Sequence, residues 1–208
     1  MPHSRQRARH AKDRLTRLIG YVDTLNVWVG HAAAWLIALL TVLISFEVFS
    51  RYVLGRPHDW AFDASYMLYG TMFMLAGAYA LAKGAHVRGD LLYGSLSPRF
   101  QAALDLTLYL LFFLPGVVAL AVAGYSFASD SWAIHEGSPL TPDGLVVYPF
   151  KTVIPVAGGL LFLQGVAEIL RCLVCLGTGA WPVRAPDVQE VDLEQLQERA
   201  RNDREIAG

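Results

Sequence analysis

The segments Arg51-Tyr-Val-Leu-Gly-Arg-Pro-His-Asp-Trp60 and Lys83-Gly-Ala-His-Val-Arg-Gly-Asp90 enclose the run Ala64-Ser-Tyr-Met-Leu-Tyr-Gly-Thr-Met-Phe-Met-Leu-Ala-Gly-Ala-Tyr-Ala-Leu-Ala82. No charged side chain lies between Ala64 and Ala82. That length is close to the roughly 20 residues a helix needs to cross a bilayer core of about 30 Å. Charge and aromatic groups cluster on either side: Arg51, Arg56, Asp59, Trp60 and Asp63 before it, Lys83, His86, Arg88 and Asp90 after it. The pattern predicts a membrane span with both ends held among headgroups. Asp63, Gly70, Gly77 and Gly84 also recur every seven residues, which puts them on one slowly drifting stripe. Small residues along a stripe let helix backbones approach closely in a membrane. They predict a packing seam, although glycine is common in membrane helices generally.

The composition extends this reading to the whole chain. Of 208 residues, 54% are hydrophobic and 17% charged, against about 25% charged in soluble domains. Mean hydropathy is +0.38. The apolar residues come in long blocks, so the chain reads as an all-α membrane protein. Four transmembrane helices are predicted, at about 26–53, 60–83, 100–128 and 149–174, preceded by a basic amphipathic interfacial helix. Residues 1–25 form that cytoplasmic basic segment, 26–176 the four-helix transmembrane domain, and 177–208 a polar cytoplasmic tail.

In residues 1–25, Arg5, Arg7, Arg9, Lys12, Arg14 and Arg17 accompany an apolar stripe of Leu15, Leu18, Ile19, Val22 and Leu25. Such a helix lies on an anionic leaflet. The apolar block that follows is too long for a signal peptide. At the end of the first span Glu47 and Arg51 stand four apart and share a helix face. Pro57 breaks the helix into the turn before Trp60. In the third span Pro115-Gly116 predicts a kink or loosened turn, and Ser97-Pro98 predicts the helix start. Gly158 and Gly165 repeat the seven-residue spacing in the fourth span, where Pro155 falls in the first turns. Between the third and fourth spans, a loop at 129–148 carries Trp132, His135 and Glu136.

Orientation follows from counting lysine and arginine near the spans. Eleven fall on the side of the N-terminus, the 83–99 loop and the last flank, against Arg51, Arg56 and Lys151 on the other. The positive-inside rule makes both termini cytoplasmic and the 51–60 and 129–148 loops periplasmic. The expected place is a bacterial-type inner membrane.

Known chemistries leave few traces. There is no phosphate-cradling Gly-Lys-Ser/Thr loop, no metal-ligand spacing within a span and no nucleophile elbow. Neither enzyme activity, nor a cofactor, nor nucleic-acid binding is expected. Cys172 and Cys175 sit two apart without a second pair and read as inert helix neighbours. The spans carry almost no charge, so a solute path through this chain alone is not expected. A haem-binding four-helix electron-transfer subunit is the alternative, but it needs histidines facing each other within the membrane. Here His31 falls in a span while His58, His86 and His135 fall in turns.

Residues 47–90 resemble the signature region of the small membrane subunit of tripartite ATP-independent periplasmic transporters (the DctQ-like family). The matching residues are Arg51-Tyr52-Val53, Arg56-Pro57, Trp60, Asp63, Gly77, Lys83-Gly84, His86-Val87-Arg88 and Asp90. Phe62 stands where a second acidic residue is usual, and Gly89 replaces a usual valine. The four-span layout extends the resemblance over about 25–176. It implies a scaffold subunit of an ion-gradient-driven importer of organic acids. Its partners would be a large elevator-type membrane subunit, a periplasmic substrate-binding protein and membrane lipids. On this reading Gly70, Gly77, Gly84, Gly158 and Gly165 pack against partner helices. Glu47, Arg51, Arg56, Trp60, Asp63, His86, Arg88 and Asp90 anchor the turns and the interface. Trp132, His135 and Glu136 are candidates for docking the binding protein.

Overall fold

A computed structural model describes residues 2–84, 93–142 and 144–182, with side chains from Arg14 onward. Among the described residues the regular structure is helical, apart from one isolated antiparallel bridge between Gly137 and Val146. Four long helices follow in order: α1 (Pro2–Tyr52), α2 (Asp59–Lys83), α3 (Pro98–Ala133) and α4 (Tyr148–Thr178). His86, Arg88, Asp90 and the tail beyond Pro182 lie outside the described residues.

Three of the helices hold segments long and apolar enough to cross a bilayer: Arg14–Tyr52, Pro98–Ala133 and Tyr148–Thr178. The helix that decided the sequence reading, α2, has the length, at 25 residues. Alanine and glycine dilute its apolarity because they have little hydrocarbon to bury, and tyrosine does so because its hydroxyl is polar.

Helix α1 is 51 residues long and runs through the expected boundary at residue 25 without a break. At 1.5 Å per residue it is about 75 Å long, more than twice the thickness of a bilayer core. Nothing between Gly20 and Thr24 interrupts it; the Thr24 hydroxyl returns a hydrogen bond to the Gly20 carbonyl (2.8 Å). The expected apolar stripe is divided. Ile19 is buried in the bundle, whereas Leu18 and Leu25 are exposed.

Helix α1 ends at Tyr52, five residues ahead of Pro57, so the proline lies in the connection and does not itself stop the helix; α2 closes at Gly84, whose φ of 70° is left-handed. In α3 Ser97 occupies the cap position ahead of Pro98, without a side-chain cap bond. The loosening expected at Pro115-Gly116 occurs one turn earlier, as a π-helical turn over Tyr109–Phe113. Proline lacks an N–H and crowds the carbonyl four residues back, so the preceding turn widens.

Helix α4 is the hub, packed against α1, α2 and α3. Gly158 and Gly165 face Ala121 and Phe113 of α3, while Leu161 faces Gly77 of α2. At the far end Cys172 and Cys175 bury with Ala102, under Leu106, Tyr109 and Trp181. Outside the bundle, α1 exposes Trp28 and Trp35, and α3 exposes Phe112 and Val122.

Candidate functional site

The glycine stripes meet helices of this same chain. A Cβ on Gly70 would lie 2.7 Å from the Phe150 ring, and one on Gly165 2.6 Å from Phe113. A Cβ on Gly158 would come within 3.0 Å of the Ala121 Cα, where backbone must give way. Gly77 is looser, with Leu161 no nearer than 3.8 Å. Gly84 serves as the left-handed cap of α2. Two further close approaches are Gly124 against Ile154 and Gly30 against Tyr79.

At one end of the bundle two polar clusters fix the connections. Glu47 accepts from Arg51 Nε (3.0 Å) and Nη2 (2.8 Å), and from the His58 backbone N–H (3.2 Å). His58 Nδ1 lies 3.1 Å from the other Glu47 oxygen. One carboxylate thereby ties the last turn of α1 to the start of α2. Arg56 contributes through its backbone, bonding Ser50 at both N–H (3.0 Å) and C=O (2.7 Å). Trp60 is partly exposed, its ring 5.9 Å from His58.

Asp63, at the start of α2, is fully buried. It reaches across to the loop at 134–147. Ser138 Oγ (2.7 Å), Thr141 Oγ1 (2.6 Å) and the Leu145 N–H (3.1 Å) all donate to its carboxylate. From the start of α4, Lys151 donates to Glu136 of the loop and covers the Phe127 ring at 4.0 Å. This ammonium holds the Glu136 carboxyl below the ordinary carboxylate range. Trp132 Nε1 donates to Thr152 Oγ1 (2.8 Å), and its ring packs 4.4 Å from Tyr148. His135 takes a φ of 49°, uncommon for a non-glycine residue, with its ring against Tyr148. The structure thus brings Trp132, His135 and Glu136 together around Tyr148 and Lys151.

Sequence reading missed the largest polar feature. Asp23 and Asn26 of α1 meet Gln164, Glu168 and Arg171 of α4, and all five are buried. Arg171 donates to both Asp23 and Glu168. Gln164 Nε2 donates to Asp23 (2.9 Å) and Glu168 (3.3 Å), and Asn26 Nδ2 donates to Gln164 Oε1 (2.7 Å). The sequence reading counts Asp23 within the basic interfacial segment 1–25. The structure corrects this, because α1 continues past Asp23 and carries it against α4. A signal was present: residues 164, 168 and 171 share one helix face, as do 23 and 26. Two charged stripes on separate apolar helices are each other's natural partners.

Among the described residues no group of three or more His, Cys, Asp or Glu is placed to hold a metal. The arrangement is one of fixed helices and pinned loops. Comparison with known families matches residues 40–175, well over half of the chain, to the family described as "Tripartite ATP-independent periplasmic transporters, DctQ component". No curated protein matches the chain.

Proposed function

Because the chain belongs to the DctQ component family of tripartite ATP-independent periplasmic transporters, a family of transporter components and not of enzymes, we propose that it is the static scaffold of an ion-gradient-driven organic-acid importer. Membership implies the other components as partners, a large membrane subunit and a substrate-binding protein. In our reading α2 joins the other three helices as a fourth span, with both termini on the cytoplasmic side of the inner membrane. The basic N-terminal part of α1, continuous with the span, carries its arginines to the anionic headgroups on that side.

The observation that carries the scaffold reading is the way α4 is held. It is tied to α1 by a buried charge cluster and to α3 by glycines in backbone contact. Close-packed elements of this kind resist deformation. That suits a wall against which a moving subunit slides. The glycine seams are filled from within the chain, so the outer faces bearing Trp28, Trp35 and Phe112 are left for lipid and the large subunit. The 134–147 loop, with Trp132, His135 and Glu136, is the docking place for the binding protein.

Affinity purification of the tagged chain from native membranes in mild detergent tests this. A large polytopic partner is expected in stoichiometric amount. Recovery of the chain alone, or as a homo-oligomer, would overturn the scaffold reading.

A further inference from the structure

We propose that Asp63 is a positioning residue for partner docking: its carboxylate holds the 134–147 loop in the one shape that the periplasmic binding protein recognises. This rests on the reading of that loop given above.

Among the described residues, little else orders the loop at its tip. One bridge pairs Gly137 with Val146, through the Ser138 N–H to the Leu145 carbonyl (2.8 Å) and the Val147 N–H to the Glu136 carbonyl (2.9 Å). Beyond that pairing the chain folds over Asp63. Its three donors are spread from Ser138 to Leu145, so both carboxylate oxygens draw the two arms of the loop together. Ser138 Oγ also accepts from the Leu140 N–H (3.2 Å). The arms come so close that a Cβ on Gly144 would sit 2.5 Å from the Ser138 carbonyl oxygen. Hydrogen bonds to a charged acceptor in a buried place are strong, and a buried carboxylate that lost them would be left without compensation.

What the pinned loop shows to the outside is apolar. Ile134, Leu140 and Val146 are 72%, 61% and 53% exposed. Large aliphatic groups presented on a fixed backbone suit a protein partner, because the ordering cost of association is already met. A lipid surface would not require a fixed loop shape. The ligand class is therefore a folded protein with an apolar patch.

The test uses the full chain co-purified with its large subunit in lipid nanodiscs, with the binding protein as the soluble analyte. Three readouts are taken: affinity for the binding protein, hydrogen exchange of the 134–147 amides, and recovery of the large subunit. D63N is expected to weaken binding about tenfold or more and to speed exchange across 137–146, with the large subunit still recovered. L140S should weaken binding while leaving exchange unchanged. Ser138→Ala and Thr141→Val leave the carboxylate in place and remove one donor each. They should show smaller losses of the same kind, whether or not D63N assembles. If L140S weakens binding while D63N, Ser138→Ala and Thr141→Val bind normally, the role given to Asp63 is wrong and the docking loop stands. Unchanged binding by every variant, L140S included, removes the docking reading and this inference with it.

Discussion

Arg171 of α4 binds Asp23 of α1 across 148 positions of sequence, and both are buried. The same guanidinium binds Glu168 one helical turn away. One cation therefore compensates two carboxylates at the junction of the first and last helices. In an apolar interior the desolvation of such charges is offset only while all partners are in place.

Removing the cation alone should hurt most. Arg171→Met leaves Asp23 and Glu168 buried against each other, and the cost is expected to reach about 3–5 kcal/mol. Converting all three, as D23N/E168Q/R171M, should recover most of that loss. Thermal unfolding in detergent checks both. A triple variant no more stable than Arg171→Met would show that the charges themselves are not what matters.

The two glycines at 158 and 159 are adjacent and should behave differently. A Cβ at Gly158 meets the Ala121 backbone, whereas one at Gly159 meets nothing within 4 Å. Gly158→Ala should cost about 1–3 kcal/mol. Gly159→Ala should be neutral or slightly stabilising, since alanine is the better helix former. Unfolding midpoints of the pair decide the matter, and equal midpoints would mean α3 and α4 are not in backbone contact.

Acid should loosen the loop through Glu136. Its carboxyl is held below the ordinary range by Lys151, so the folded form binds its proton less readily than the unfolded form. The contact is fully present above the ordinary carboxylate pKa of about 4.3 and is lost as pH falls through the lower, folded value. Hydrogen exchange of the 134–147 amides, corrected for intrinsic rates, should therefore be steady from neutral pH down to about 4.3 and rise below that. Lys151→Met should reduce that acid-dependent step.

Cys172 and Cys175 are buried under Ala102, Leu106 and Trp181. Maleimide labelling should be slow in the native protein and complete after denaturation, and Cys175→Ser should leave partner recovery unchanged. Rapid native labelling would mean that the α3–α4 junction opens.

Much of this protein is legible without coordinates, for a simple reason. A bilayer demands long uncharged helices with satisfied backbones, and that demand is written locally, in runs such as Leu106–Ala128. Turns are local too: Pro57, Gly84 and the Pro115-Gly116 pair mark a connection, a cap and a loosened segment through backbone chemistry that each residue carries with it. The glycine stripes announce close contact, but spacing alone does not say with what. Their partners, Phe150, Ala121 and Phe113, belong to helices that only folding brings near. The same holds for charge. Asp63 looks like a headgroup anchor until the 134–147 loop closes over it. Asp23 looks interfacial until α1 runs on past it to meet Arg171. Sequence by itself determined which segments are helical and apolar, because those properties sum over neighbouring residues. Tertiary structure alone decided which polar groups are paired and buried, because that depends on residues far along the chain, 75 positions away for Ser138 on Asp63 and 148 for Arg171 on Asp23.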